Sequence, residues 1–311
     1  MELMFGIAAV LLLLAAAAYI PYRMAFYADH KKKDLTRVIP HEAQYQEQKD
    51  YMLSLIDALS ARPYEQVEIR SRDGKRLFGK YYHAADGAPL DIGFHGYKSD
   101  AVRDFCGGSR ISFELGHNLL LVDQRAHGKS DGMTISFGIL ERYDVLDWLS
   151  YANDRFGKST PIYLYGVSMG AATVLMASGL ELPENVRGIV ADCPYSSPAD
   201  IIRKVCVDRG LPPRPLFPLL RLGALLYGHF RMTPDASAVE AVKRATVPIL
   251  IIHGDDDRFV PCQMSEAIRN ANPQRVKLVL FPGAGHALSY ILDGETYRRV
   301  VLEEMLNGGK P

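Results

Sequence analysis

The chain has 311 residues, 48% hydrophobic and 23% charged, which excludes general disorder and leaves room for one large α/β domain or two small ones. Its 36 Lys and Arg balance 36 Asp and Glu, and no basic stripe is interleaved with aromatics, so nothing in the charge favours a nucleic-acid partner. Cys106, Cys193, Cys206 and Cys262 lack Cys-x-x-Cys spacing and a His cluster, so they read as unpaired thiols and not as a disulfide framework or zinc site.

Residues 3–22 carry no charge and, as a helix, span about 30 Å, enough for a bilayer's hydrocarbon core. The run reads as an uncleaved membrane anchor. A cleaved signal peptide with Ala16-Ala17-Ala18 as its small-residue site competes with that reading, although no Lys or Arg precedes the run and it exceeds a usual signal core of about 7 to 15 residues. A buried soluble helix is the third reading. Arg23, Lys31, Lys32, Lys33 and Arg37 follow the run, whereas only Glu2 and the amino terminus precede it. The positive-inside bias then predicts a single-pass protein of the cell membrane with the remaining chain facing the cytoplasm.

Residues 23–62 are polar and charged with a helical stretch over 44–59, which predicts a tether followed by a helix lying on a domain that runs from 63 to 311. That domain opens on a β-hairpin: Val67 and Ile69 alternate with polar neighbours, Ser71-Arg72-Asp73-Gly74 supplies the turn, and residues 77–82 answer as partner strand. Apolar strand-like runs follow at 90–94, 118–122, 162–165, 188–191, 248–252 and 276–281, with helical patterns between most of them, notably over 138–156 and 168–180. Such alternation predicts an α/β fold with a mostly parallel central sheet covered by helices on both faces. Residues 194–246 break the rhythm. They hold no strand, only a Pro-rich stretch followed by an apolar one, and predict a helical cap at the carboxyl edge of the sheet, where open α/β sheets bind ligands. Its Leu216, Phe217, Leu219, Leu220, Leu222, Leu225 and Leu226 either contact an acyl chain or merely close a core.

Gly166-Val167-Ser168-Met169-Gly170 lies between the strand run at 162–165 and the helical run after it. Paired glycines permit the sharp turn that exposes a nucleophilic serine above a sheet. Serine is a poor nucleophile near neutral pH, so Ser168 needs a base within hydrogen-bond reach and the base needs an orienting carboxylate. Both follow later strands: His253-Gly254-Asp255-Asp256-Asp257-Arg258-Phe259-Val260-Pro261 after one, Pro282-Gly283-Ala284-Gly285-His286 after the next.

With these residues in the order Ser, acid, His, and with Phe94-His95-Gly96-Tyr97 and Asp123-Gln124-Arg125-Ala126-His127-Gly128-Lys129-Ser130 after two further strands, the chain resembles the α/β-hydrolase superfamily from about Pro63 onward. Within it the chain is similar to membrane-anchored bacterial hydrolases and to the branch shared with monoglyceride lipases and serine aminopeptidases. Ala126 departs from the common Arg-Gly-His-Gly form. The family's His-Gly-x-x-Asp-x-x-Val-Pro spacing selects Asp257 among three adjacent aspartates, with Asp192 as the alternative acid. The resemblance implies a catalytic triad of Ser168, His286 and Asp257, and an oxyanion hole made by the backbone N–H groups of Tyr97 and Met169. His95 and His127 read as structural turn residues, and His253, which precedes the acid, as a less suitable base than His286.

The implied activity is hydrolysis of a carboxylic ester, small or lipid-derived, through an acyl-enzyme, with no cofactor and no metal. Peptidase, thioesterase and acyltransferase chemistry use the same triad. A noncatalytic receptor using the cap groove is the reading from a different class.

Overall fold

The computed structural model describes residues 1–29 and 33–307, so Lys31 and Lys32 of the basic run lie outside the described residues. Eight strands form one sheet: β1 (Glu65–Arg70), β2 (Arg76–Tyr82), β3 (Leu90–Phe94), β4 (Asn118–Asp123), β5 (Ile162–Val167), β6 (Val186–Asp192), β7 (Ile249–Gly254) and β8 (Val276–Phe281), in the spatial order β1-β2-β4-β3-β5-β6-β7-β8. β1 pairs antiparallel with β2, and β2 antiparallel with β4; from β4 to β8 every pairing is parallel. The hairpin predicted around Gly74 forms with that glycine at φ 83°, a left-handed conformation that a side chain would strain. β3, β4 and β7 are buried at every position, as expected of strands covered on both faces.

Thirteen helices occur among the described residues: α1 (Glu2–Ala25), α2 (Ala43–Glu47), α3 (Lys49–Ser60), α4 (Ala101–Phe105), α5 (Ser109–Glu114), α6 (Glu141–Phe156), α7 (Met169–Ala177), α8 (Pro198–Asp208), α9 (Pro213–Leu226), α10 (Ala238–Val242), α11 (Gln263–Ala271), α12 (Ser289–Leu292) and α13 (Gly294–Asn307). The amphipathic spacing of α3 buries Met52, Leu55, Ile56 and Leu59 in a cluster with Tyr82, Val102 and Phe105. α7 is buried along its whole length, which its Ala-rich sequence and Gly170 allow.

Two expectations about organisation change. The segment after residue 22 is not a free tether: Phe26 and Ala28 sit in a core cluster with Ile135, Phe137, Met169 and Phe230, and Ile39 packs with α3. Residues 194–246, expected to form one cap, divide: α8 and α9 share a cluster with Tyr22 and Phe26, whereas α10 packs on the domain core, where Ala241 fits so closely to Gly179 that a Cβ on that glycine would lie 2.7 Å from the Ala241 Cα.

α1 is long and apolar enough to cross a membrane, and little of its apolar stretch is buried inside the fold. Only its last turns are covered, through Ala18, Tyr22 and Phe26.

Candidate active site

Ser168 stands between β5 and α7 at φ 55° and ψ −112°, outside the regions non-glycine residues ordinarily adopt. The flanking glycines explain how the turn closes. A Cβ on Gly170 would lie 1.8 Å from the Phe94 carbonyl oxygen, and one on Gly166 2.4 Å from the Gly170 backbone, so neither position has room for a side chain. The Ser168 N–H donates to the Asp192 carbonyl at 2.8 Å, tying the turn to β6.

Three side chains from three strand ends converge on this turn. Ser168 Oγ is 2.9 Å from His286 Nε2, and His286 Nδ1 is 2.7 Å from Asp257 Oδ2. If the ionised carboxylate accepts the Nδ1 proton, Nε2 is left as the acceptor for the serine hydroxyl. Asp257 has no exposed side-chain surface. Its Oδ1 accepts the N–H groups of Phe259 at 2.9 Å and Val260 at 2.8 Å, and its Oδ2 faces His253 Nε2 at 3.1 Å as well as His286. Burial pushes this carboxyl up, but the His286 charge and the hydrogen bonds from His253, His286 and Val260 outweigh it and hold the group well below the usual carboxylate range.

The neighbouring acids do other work. Asp255 accepts the Gly283 N–H at 2.7 Å, and Asp256 pairs with Arg258 at the surface. Asp192, the alternative acid, is buried with one carboxylate oxygen lacking a hydrogen-bond partner among the described residues, and desolvation raises its pKa to about 6. His253 faces Asp257 from the other side, with Nδ1 2.6 Å from Ser265 Oγ and Nε2 2.8 Å from the Val260 carbonyl. It holds the acid in place. The sequence marked His253 as the less suitable base because it precedes the acid, yet nothing there showed that it buttresses Asp257.

His95 accepts the Gln124 N–H at Nε2 (3.1 Å) and donates from Nδ1 to the Gly96 carbonyl (2.8 Å), and His127 accepts the Lys98 N–H at Nε2 (3.0 Å). Both tie the loop after β3 to the loop after β4. Within the first loop, Gly96 N–H is taken by Asp104 Oδ2 at 2.7 Å, and a Cβ on Gly96 would lie 3.4 Å from Ser168 Cβ. Tyr97 therefore follows directly on a glycine with room for little more than its backbone beside the serine, while Met169 begins α7, whose amino-terminal partial positive charge lies at the same spot.

A cavity of about 670 Å³ opens beside Ser168 and His286, but among the described residues none of its lining comes from 194–246. The acyl contacts anticipated from the cap leucines are thus not made there: Leu220 is buried in the cluster with Tyr22 and Phe26, and Leu216 and Phe217 pack against that cluster. The cavity is walled instead by Tyr45, Met52, Phe105, Ile111, Leu119 and Tyr290, beneath the segment formed by α2 and the residues that lead into it. Tyr45 Oη donates to the His286 carbonyl at 2.6 Å and Gln44 Nε2 to Asp256 at 2.9 Å, which fixes this segment over the site. These partners stand more than 200 residues away in sequence, so no local pattern announces them.

Cys193, Asp257 and His286 place ligand-type atoms within 4.8 Å of one another. The imidazole and carboxylate are engaged with each other, and burial, followed by the Asp192 and Asp257 charges, raises the Cys193 thiol well above its ordinary pKa. A metal requires the thiolate, so the donor set fits a hydrogen-bonded chain better than a metal centre.

A strained serine between a strand and a helix, at the carboxyl edge of an eight-stranded, mostly parallel sheet, defines the α/β-hydrolase class, as expected. The chain belongs to the Alpha/beta hydrolase family, which it matches over residues 94–301. Protein YqkD of Bacillus subtilis is 29% identical over 198 residues, covering 63% of this chain and 65% of that protein. Human protein ABHD12B is 28% identical over 286 residues, covering 84% of this chain and 71% of its own. The zebrafish lysophosphatidylserine lipase ABHD12 is 23% identical over 184 residues, covering 58% of this chain and 45% of its own. Among solved structures, the Pyrococcus furiosus esterase Pf2001 superposes with a TM-score of 0.65 at 23% identity, covering 82% of this chain and 94% of that one. The protein is a hydrolase of this fold.

Proposed function

We propose that the protein is a membrane-anchored serine hydrolase that cleaves carboxylic esters with an apolar acyl group. The observation that carries this reading is the hydrogen-bonded chain Ser168–His286–Asp257, with contacts of 2.9 and 2.7 Å. In it Ser168 Oγ attacks the acyl carbonyl while His286 Nε2 takes its proton, and Asp257 keeps the imidazole in the reactive tautomer and stabilises the imidazolium. The developing oxyanion accepts the N–H groups of Tyr97 and Met169, each such donor contributing about 2.7 to 4 kcal/mol to the transition state. His286 then protonates the leaving alcohol. A water deprotonated by the same nitrogen cleaves the acyl-enzyme, releasing the acid and restoring Ser168.

The substrate class rests on the cavity, whose Met52, Phe105, Ile111 and Leu119 offer an apolar wall beside the nucleophile. The zebrafish relative's name, lysophosphatidylserine lipase, supports a lipid-derived ester. So does an apolar α1 that reads as an anchor, with the hydrolase domain facing the cytoplasm. A fluorophosphonate probe tests the reading: covalent labelling of the purified chain, lost in Ser168→Ala, supports an activated serine, and no labelling of folded wild-type protein refutes it.

A further inference from the structure

The cap helix is packed on the anchor helix in a way that ester hydrolysis does not require. Tyr227 Oη donates to the Ala15 carbonyl at 2.9 Å, and its ring lies 5.1 Å from Tyr19 and 5.5 Å from Tyr22. At Gly223 an added Cβ would stand 2.6 Å from the Ala18 carbonyl oxygen and 2.9 Å from Tyr22 Cβ, so the two helices touch without an intervening side chain. Tyr227 meets Ala15 and Tyr19 while Gly223 meets Ala18 and Tyr22, hence α9 runs antiparallel to α1.

The register of these contacts sets a depth. The uncharged run of α1 between Glu2 and Arg23 rises about 30 Å, the thickness of the hydrocarbon core with no surplus. Residues 15–22, which hold α9, are the last ~12 Å of that run. A helix held against them shares their depth. With Tyr227 innermost, Arg221 lies about 9 Å nearer the surface along α9, and Arg23 lies about 12 Å nearer along α1. The two arginines therefore lie within about 3 Å of one level, where Arg23 also stacks on the Tyr27 ring at 3.6 Å, as basic and aromatic groups do at a headgroup boundary. Below that level α9 presents Leu225 and Leu226 outward, 44% and 42% exposed, beside the exposed Tyr19 and Ile20 of α1. Phe230 in the following turn meets the Phe26 ring at 5.2 Å, just past the end of α1, so the exposed His229 and Arg231 beside it return toward the headgroup level.

We propose that the carboxyl-terminal half of α9 is embedded in the leaflet beside α1, so that lipid covers Leu225 and Leu226 and the cap is seated in the membrane. The inference rests on α1 being the anchor. It replaces the picture of a domain swinging on a tether with one held in a single orientation to the bilayer.

Depth-resolved tryptophan quenching in the full chain, reconstituted in phosphatidylcholine–phosphatidylglycerol vesicles with mid-chain brominated acyl groups, tests it. The native Trp148 is fully buried and supplies a constant background. L226W should be blue-shifted and lose emission to the brominated lipid as I7W does, whereas L280W, exposed on β8, should not. Quenching of I7W without quenching of L226W would overturn the embedding of α9 and leave the anchor intact. Absence of I7W quenching would remove the anchor reading itself, and the inference with it. A blue shift of L226W that follows protein density in the vesicle and ignores bromination would show a second copy covering the face, which also overturns the proposal.

Discussion

The Tyr97 hydroxyl donates to the Ala25 carbonyl at 2.8 Å, joining the loop that adjoins Ser168 to the last residue of α1. The Tyr97 ring stacks on Phe137 with centroids 4.9 Å apart, and Phe137 meets Phe26 edge-on at 5.9 Å. The end of α1 is therefore part of the support of the site.

Phe26→Ala should accordingly destabilise the hydrolase domain, because a fully buried aromatic leaves a cavity costing about 3 to 5 kcal/mol. Turnover of a water-soluble short-chain ester should fall too, although Phe26 lines no part of the substrate cavity. Thermal unfolding and kcat/KM in the same detergent measure both effects. An unchanged melting temperature would show that the helix end is dispensable to the fold.

For the catalytic chain, Ser168→Ala and His286→Ala should each lower kcat by on the order of a million-fold, as for triad residues elsewhere, with unfolding unchanged. Asp257→Asn should cost about ten-thousand-fold through the wrong imidazole tautomer, whereas Asp255→Asn and Asp256→Asn should be mild. The comparison is internal to one loop. Near-wild-type turnover in Asp257→Asn would remove the acid from the mechanism.

The order of serine, acid and histidine, and the strand each follows, were legible because each motif is local and the turn chemistry is carried by adjacent glycines. The sheet was legible for the same reason: its inner strands are short apolar runs, and the structure moves their ends by only a residue or two. What the sequence did not show is contact between distant segments. Gln44 and Tyr45 look like surface residues of a polar helix, and their partners at Asp256 and His286 are known only once the chain has folded back. The cap leucines left two readings open, acyl contact or core closure, since hydrophobicity marks a buried face without naming what buries it. Leu220 turned out to face Tyr22 and Phe26, and the cavity lay elsewhere.

Asp192 allows a test by pH. Its folded-state pKa is raised to about 6 by burial, against an ordinary value of 3.8. A carboxyl raised on folding leaves stability intact below the unfolded pKa and removes it as pH rises through the folded one. Asp192→Asn, which cannot ionise, should therefore match the wild type near pH 4 and become more stable by a few kcal/mol above about pH 6. Melting temperatures from pH 4 to 8 check this. Parallel curves for the two proteins would mean that Asp192 ionises no differently in the folded state, and abolished turnover in the folded variant would reinstate Asp192 as the acid.

The cavity wall makes the last prediction, which separates the observed lining from the cap. Burying each methylene contributes about 0.8 kcal/mol, so kcat/KM should rise several-fold per two added carbons until the acyl chain fills the space. Ile111 is buried in that wall, on α5. Ile111→Phe should take up part of the volume and move the optimum to shorter acyl chains, while Ile111→Ala should enlarge it and move the optimum to longer ones. Leu219→Ala, in the cap and outside the lining, should leave the optimum where it is. A series of p-nitrophenyl esters from acetyl to dodecanoyl measures all three, with melting temperatures to verify folding. If the optimum follows Leu219 and ignores both Ile111 variants, the acyl group binds under the cap and not in this cavity. A flat series in every protein would instead point to a small-acyl or non-lipid substrate.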